Sequence, residues 1–227
     1  METISSFHLK RISNEKNFNN TLLRTLKKLS YLSFEFPIKY GITTQIIVGA
    51  ADEKDKEILN FSYSLYKNFR LKRVYYSGFI PVINTPFENK KPCSEKRQFR
   101  LYQADILIRK YKFLPSEILF DKNGNLFLNK DPKVLWAEKN ESFYPIEINK
   151  GDFYQLIRIP GIGLKTAKKI LEIRKNTKIT SENILKKIGI PLKKVAPYIL
   201  INGKKIKKLE NDIGVEESNS TIFDDVV

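Results

Sequence analysis

Two predicted strands on either side of a predicted helix, between residues 41 and 77, constrain the fold of this chain more than any other feature. Residues 41–48 are rich in β-branched side chains and are followed by Gly49, a pattern typical of a buried strand. Apolar side chains at helical spacing predict a helix over residues 53–69, and residues 72–77 predict the second strand. Because strands joined by a helical crossover pair in parallel, the sequence predicts an α/β fold for this part of the chain.

Helices are predicted on both sides of this unit. Leucines at helical spacing predict a helix over residues 20–31, with Asn20 as its N-cap. Ser94 can cap a long helix that includes Arg97 and Arg100. These two arginines share one helix face, where they either reach a phosphate or carboxylate group of a ligand or lie in solvent. A small parallel sheet leaves faces and edges uncovered, so we also expect association through an edge unless a partner completes the sheet.

Positive charge is concentrated in one block of the chain. Residues 149–209 hold 16 Lys and Arg against 3 Asp and Glu, whereas residues 210–227 hold 6 acidic and no basic residues. A concentrated basic block indicates a partner with a phosphate backbone. We therefore divide the chain into an α/β part (residues 1–112), a connecting region (113–148), a basic domain (149–209) and an acidic tail (210–227), which we predict to be disordered.

The most specific motif is a Pro-Gly-Ile-Gly turn between two predicted helices, residues 152–159 and 164–175. Its glycines permit a tight turn and the close approach of another molecule, and Ile162 is expected to anchor the loop in the core. The N–H groups at a helix N-terminus bind phosphate oxygens, and neighbouring lysines add charge. We therefore predict a nucleic-acid-binding site at the following residues: Pro160, Gly161, Ile162, Gly163, Lys165, Thr166, Lys168 and Lys169.

This motif, with Ala167 four residues after the turn, resembles the helix-hairpin-helix motif of DNA-binding proteins. A degenerate second copy spans residues 184–196, where Gly189 is kept and Pro191 stands in place of the second glycine. Two copies resemble the paired motif of DNA-repair and DNA-uptake proteins, which implies a small all-α domain that contacts successive phosphates regardless of sequence. The second copy either contributes Gly189 to this contact or is purely structural. Residues 198–206 predict a β-hairpin with a type I′ turn that buttresses the pair.

The upstream segments resemble part of the radical S-adenosylmethionine (radical SAM) barrel. Gly49 at the end of the first predicted strand is similar to that family's fifth-strand motif, and residues 71–82 and 97–111 follow in the family's order. With the helix-hairpin-helix last, this order resembles the DNA modification/repair radical SAM proteins, thought to work alongside a uracil-DNA-glycosylase-like partner. The resemblance implies a partial β/α barrel followed by the hairpin domain. It also implies these S-adenosylmethionine contacts: Val48, Gly49, Glu53, Tyr76 and Ser77.

The chain lacks the cysteines that such an enzyme needs. A radical SAM enzyme holds a [4Fe-4S] cluster through three cysteines at CxxxCxxC spacing, whereas Cys93 is the only cysteine here. S-adenosylmethionine and the cluster are therefore implied for a complete family protein, and we expect no cofactor, metal site or catalytic residue in this chain alone. Whether it is part of an enzyme stays open, because activity would need a cysteine-bearing N-terminal radical SAM chain as partner.

The remaining sequence features indicate the cellular location of the protein. No stretch approaches the roughly 18 apolar residues of a membrane span, and the first ten residues lack the apolar core of a signal peptide. We therefore expect a cytoplasmic protein without a membrane partner. Three hypotheses stay open: the DNA-binding C-terminal part of a radical SAM-type DNA modification or repair protein, a stand-alone DNA-binding protein with a non-catalytic α/β scaffold, and a module that recruits a glycosylase through a Pro-rich loop.

Overall fold

The computed structural model of the protein describes residues 2–36 and 38–206. The acidic tail predicted at residues 210–227 lies outside the described residues. The chain divides into two compact units, Met1–Pro132 and Lys133–Val227, and this boundary falls inside the predicted connecting region. Both helices and small sheets are present, so the fold class is mixed α/β. Among the described residues, no helix is long and apolar enough to cross a membrane.

The first unit is built around the predicted strand–helix–strand segment. Its main elements are α1 (Ser6–Ile12), α2 (Arg24–Glu35), β1 (Thr43–Val48), α3 (Asp55–Phe69), β2 (Arg73–Gly78) and α4 (Glu95–Arg109). The helix predicted over residues 20–31 is present but begins earlier, with a π-helical turn at Phe18–Leu23. The prediction of Asn20 as N-cap is wrong, because the side chain of Asn17 accepts the Asn20 N–H at 2.9 Å. The predicted cap at Ser94 is confirmed, since its side chain accepts the Arg97 N–H.

β1 and β2 pair in parallel over their whole length, as predicted, with Thr43 opposite Arg73 and Val48 opposite Gly78. The alternating side chains Ile46, Val48, Val74 and Tyr76 are fully buried, on the face where α3 and α4 pack. Their alternation follows from the two-residue period of a strand. On the opposite face, Tyr75 is 41% exposed. The expectation of an uncovered sheet face is therefore met on this side only.

The outer edge of β2 is occupied by side chains from α3 and α4. The hydroxyl of Tyr66 accepts the Val74 N–H at 3.1 Å, and the hydroxyl of Tyr102 accepts the Tyr76 N–H at 2.9 Å. The side-chain amide of Gln98 donates to the Tyr76 carbonyl at 2.7 Å. An open edge strand invites pairing because its backbone groups are unpaired. The edge of β2 is therefore not open, since the protein's own side chains bind these groups, whereas association of the sheet with a partner stays a prediction.

The second unit combines short helices with a small sheet. Its elements are α5 (Pro132–Lys139), β3 (Ile146–Glu147), α6 (Phe153–Arg158), α7 (Leu164–Asn176), α8 (Glu182–Lys187), α9 (Leu192–Val195), β4 (Ile199–Ile201) and β5 (Lys204–Lys205). β3 runs parallel to β4, and β4 runs antiparallel to β5. Asn202 and Gly203 have φ of 52° and 75°, as a type I′ turn requires, so the predicted hairpin is confirmed. The unit thus carries a sheet in addition to the helices of the all-α domain that the resemblance implies.

Candidate nucleic-acid interface

The loop between α6 and α7 is a type II β-turn that the sequence dictates locally. The Ile162 N–H donates to the Ile159 carbonyl at 3.1 Å across Pro160 and Gly161. A type II turn favours Pro at its second position and needs positive φ at its third, where Gly161 has φ of 87°. Ile162 is 1% exposed, so its predicted role as an anchor in the core is confirmed. The turn therefore leads the chain directly from α6 into the start of α7.

The N-terminus of α7 carries no side-chain cap. Its N-cap is Gly163, which has no side chain to accept a hydrogen bond, and the Ala167 N–H is bonded to the Gly163 carbonyl at 2.9 Å. The N–H groups of a helix's first turn have no acceptor within the helix, and the helix dipole gives them a partial positive charge. Since α7 is 13 residues long, its N-terminus is suited to an anionic group such as phosphate.

Lysines surround this helix start. Lys165, Lys168 and Lys169 are exposed on α7, whereas Ala167 and Ile170 are fully buried beneath them. Residues three and four positions apart lie on one helix face, so Lys165 lies beside both other lysines. Of the other predicted residues of this motif, Gly161 is exposed, Gly163 and Thr166 are partly exposed, and Pro160 and Ile162 are buried. The first hairpin therefore presents backbone N–H groups and ammonium groups on one exposed surface.

Gly161 is exposed, but the side on which a Cβ would lie is packed against the protein itself. A Cβ at Gly161 would lie 2.9 Å from Val195 Cγ2, 3.2 Å from Lys194 Cβ and 3.3 Å from Pro191 Cγ. These three residues belong to the second copy of the motif, so the missing side chain lets the two copies pack closely. By contrast, Gly189 is exposed with φ of 82°, and a Cβ there would have nothing within 4 Å. A side chain would therefore find open space at the turn of the second copy but would meet protein atoms at Gly161.

Lys133 is a residue of this site that the sequence did not reveal. Its Nζ donates to the carbonyl of Ile162 at 2.6 Å, across a separation of 29 residues. α5 and the segment after it also contact α6, because the Arg158 guanidinium lies 4.8 Å from the Trp136 ring and the Tyr144 hydroxyl donates to the Arg158 carbonyl at 2.8 Å. The segment predicted as a connecting region therefore supports the α6–α7 turn.

The carboxylate of Glu147 fastens the β-hairpin to the rest of the second unit. It accepts the N–H groups of Gly203 at 2.7 Å and of Asn202 and Asn149 at 3.2 Å each. Burial raises the pKa of Glu147, but these N–H donors outweigh that effect and the pKa is lowered. The Asn149 side chain in turn bonds both the N–H and the carbonyl of Ile179, in the segment between α7 and α8. Glu147 and Asn149 thus join the hairpin to the paired helices.

The residues predicted to contact S-adenosylmethionine lie together at the carboxyl ends of β1 and β2, but protein groups cover them. Val48 and Tyr76 are 0% exposed and Glu53 is 2% exposed. The carboxylate of Glu53 accepts the N–H groups of Gly49 and Ala51. The remaining predicted contact, Ser77, is partly exposed and accepts a hydrogen bond of 2.6 Å from the side chain of Gln45.

The space beside Gly49 is filled by the chain itself. A Cβ at Gly49 would lie 3.3 Å from Cys93 Cβ and 3.6 Å from an Arg97 guanidinium nitrogen. Arg97 donates to the buried carboxylate of Asp55 at 2.8 Å and to the Glu53 carbonyl at 2.7 Å. As they stand, these residues do not fit the cofactor that the resemblance implies.

Both arginines predicted to face a ligand or solvent, Arg97 and Arg100, form hydrogen bonds with other groups of the first unit. Arg97 forms the ion pair with Asp55, whose carboxylate has 0% exposure. Arg100 is 8% exposed and donates to the side chain of Gln103 at 2.6 Å and to the Leu128 carbonyl at 3.1 Å. The solvent-exposed alternative is therefore wrong for Arg100, whereas the contact of either arginine with a ligand stays a prediction.

A buried ionic network centres on Asp105 of α4. Its carboxylate accepts hydrogen bonds from the hydroxyls of Tyr66 and Tyr76 and from Arg109 Nε at 2.7 Å. Burial, together with the negative charge of Asp105, raises the pKa of Tyr76 well above its ordinary value and also raises that of Tyr66. Both phenols therefore stay protonated and act as donors. Tyr76, predicted as a cofactor contact, has its hydroxyl committed to this network.

Within the described part of the chain, no group of three or more His, Cys, Asp or Glu side chains is placed to hold a metal ion. Cys93 is a half-buried free thiol whose pKa is raised by burial. Comparison with models of protein families, with curated proteins and with solved structures found no match to this chain. The geometry of the site and the charge around it are therefore the grounds for a functional conclusion.

Proposed function

We propose that this chain binds duplex DNA through the phosphate backbone, independently of base sequence. The observation that carries the proposal is the uncapped N-terminus of α7, which the type II turn and the buried Ile162 hold in place beside exposed lysines. An uncapped helix start with cations around it is suited to phosphate. The block of 16 Lys and Arg against 3 Asp and Glu in residues 149–209 supports a polyanion rather than a single small anion.

The chemistry of the site supports binding without sequence preference. Bases are distinguished mainly by Arg, Lys, Asn, Gln, Asp and Glu side chains that reach base edges in the major groove. Residues 160–169 contain no Arg, Asn, Gln, Asp or Glu, and their lysines flank a group of backbone donors. Backbone N–H groups and ammonium groups at a helix start contact phosphate and carry no base information.

We consider two kinds of protein to which this DNA-binding chain would belong. In the first, the chain is the C-terminal part of a DNA modification or repair protein of the radical SAM type, inactive alone and completed by a cysteine-bearing partner. In the second, it is a stand-alone DNA-binding protein whose first unit is scaffold. The second candidate is favoured by the space beside Gly49, which Cys93 and Arg97 fill, and by the carboxylate of Glu53, which bonds its own backbone.

A titration of the full chain with two duplexes of unrelated sequence, at several salt concentrations, tests the proposal. We expect equal affinities, and a logarithmic affinity that falls with log salt by about 0.9 for each phosphate contacted. Lys168→Ala should reduce that slope by about 0.9. The matched control is Lys67→Ala, which removes an exposed lysine from α3 of the first unit and should leave the slope unchanged. Binding to one duplex only, or affinity indifferent to salt, would contradict the proposal.

A further inference from the structure

Lys133 of α5 reaches the loop between α6 and α7, and we infer that it is a positioning residue for the phosphate-binding site. The inference rests on the proposed function and names a residue that acts through the loop rather than on the phosphate itself. Lys133 is partly buried, and its Nζ donates to the Ile162 carbonyl at 2.6 Å. This carbonyl belongs to the residue between Gly161 and Gly163, at the entrance to α7.

The contact with Lys133 sets the direction of the next N–H group. The cis peptide bond among the described residues is Tyr144–Pro145, so the bond between Ile162 and Gly163 is trans. In a trans peptide the C=O and the following N–H point in opposite directions. An ammonium held on the Ile162 carbonyl therefore directs the Gly163 N–H away from Lys133. Because Gly163 is the N-cap of α7, this N–H lies at the start of the helix, beside the N–H groups of its first turn.

Lys133 adds an outside constraint to this peptide group. Gly163 has no side chain to restrict rotation about its backbone bonds, so its own conformational preference is weak. The Ile162 N–H is already bonded to Ile159, which fixes the turn but not the peptide that follows. The ammonium of Lys133 supplies a further constraint at the carbonyl of this peptide. A cation on the carbonyl also polarises the peptide group, which makes the Gly163 N–H a stronger donor.

Three substitutions in the full chain separate this role from a simple loss of charge. Lys133→Met removes the ammonium and keeps an unbranched apolar stem to cover the same surface. Lys133→Arg keeps a cation and a donor. Lys139→Met is the matched control, because it removes one charge from the exposed last residue of the same helix.

The measurement is duplex DNA affinity at several salt concentrations. We expect Lys133→Met to weaken DNA binding roughly ten-fold, because a factor of that size corresponds to the loss of one charge-assisted hydrogen bond. The salt slope should stay at the wild-type value. Lys133→Arg should retain most of the affinity, and Lys139→Met should change it less than about two-fold. If the slope fell by about 0.9 in Lys133→Met, Lys133 would itself contact a phosphate and the inference would be overturned. Equal affinities for Lys133→Met and Lys139→Met would overturn it too.

A second readout without DNA keeps this inference separate from the proposed function. In an amide NMR spectrum of the free chain, Lys133→Met should move the Gly163 N–H resonance, whereas Lys139→Met should leave it unchanged. An unmoved Gly163 resonance in Lys133→Met would refute the positioning role. If the resonance moves as expected but the wild-type chain binds no duplex, the proposed function fails while the structural role of Lys133 stands.

Discussion

Gly161→Ala should destabilise the second unit far more than Gly189→Ala, although the two glycines have nearly the same backbone conformation. Their φ values are 87° and 82°, so an L-residue at either position carries a similar left-handed penalty of about 1–2 kcal/mol. Their surroundings differ, because a Cβ at Gly161 would lie 2.9 Å from Val195 Cγ2, whereas a Cβ at Gly189 would have nothing within 4 Å. A Cβ at the exposed Gly161 would crowd the buried Val195, and such overpacking costs about 1–3 kcal/mol more.

The expected loss in free energy of unfolding is therefore about 2–5 kcal/mol for Gly161→Ala and about 1–2 kcal/mol for Gly189→Ala. Trp136 is the only tryptophan of the chain and lies buried in the second unit, so its fluorescence during urea denaturation reports on that unit. At about 4–8 °C per kcal/mol for a unit of this size, the two variants should also differ clearly in Tm.

A double-mutant cycle tests the cause of the difference. Val195→Ala removes the methyl group nearest to the new Cβ, so Gly161→Ala should cost less in the Val195→Ala background than in wild type. The Gly189→Ala substitution should cost the same in both backgrounds. If the two glycine variants lose equal stability, or if Val195→Ala brings no relief, the packing of the two motif copies against each other is not what requires a glycine at position 161.

Further predictions concern the two units separately. Glu147 has a lowered pKa in the folded state, so its ionised carboxylate stabilises the fold above the ordinary pKa of 4.5, and this stabilisation is lost as pH falls through the folded pKa. In Glu147→Gln, the stability measured by Trp136 fluorescence should therefore decline less steeply below about pH 5. Tyr102→Phe leaves the buried Tyr76 N–H without its acceptor and should cost about 1–3 kcal/mol by circular dichroism, whereas Tyr31→Phe, at a residue that is 65% exposed, should cost almost nothing. Anaerobic reconstitution with iron and sulfide should give no [4Fe-4S] absorbance, because one cysteine cannot ligate a cluster; a stable cluster in the chain alone would contradict this.

The parts of the molecule that could be predicted from sequence are those with local causes. The α6–α7 turn follows from four consecutive residues, because Pro at the second position and Gly at the third specify a type II turn. The parallel strand pair follows from periodicity and from the length of the crossover. The type I′ hairpin at Asn202 and Gly203 is equally local. Each of these features needs no knowledge of any other part of the chain.

The parts that could not be predicted depend on contacts between distant residues. Lys133 meets Ile162 across 29 residues, and Glu147 meets Gly203 across 56. Neither residue stands in a motif, and β3 has only two residues, too few to show a strand's two-residue alternation. The sequence predicts that Gly161 is a turn glycine, but it could not show that a Cβ at this position would meet Val195 of the second copy.

The hydrogen bonds at the edges of the small sheet determine how a partner chain could join the first unit. At the β2 edge, a new strand would have to displace the hydroxyls of Tyr66 and Tyr102 and the amide of Gln98 from buried backbone groups. At the β1 edge, the Ile47 N–H donates to the carbonyl of Glu2 at 3.0 Å, a backbone bond to the N-terminal segment. Displacing this backbone bond costs less than breaking the three side-chain bonds, one of which comes from Tyr66, whose hydroxyl also bonds Asp105. A cysteine-bearing chain that completes this sheet would therefore pair with β1 in place of Glu2, and crosslinking from position 2 rather than from Tyr102 would detect it.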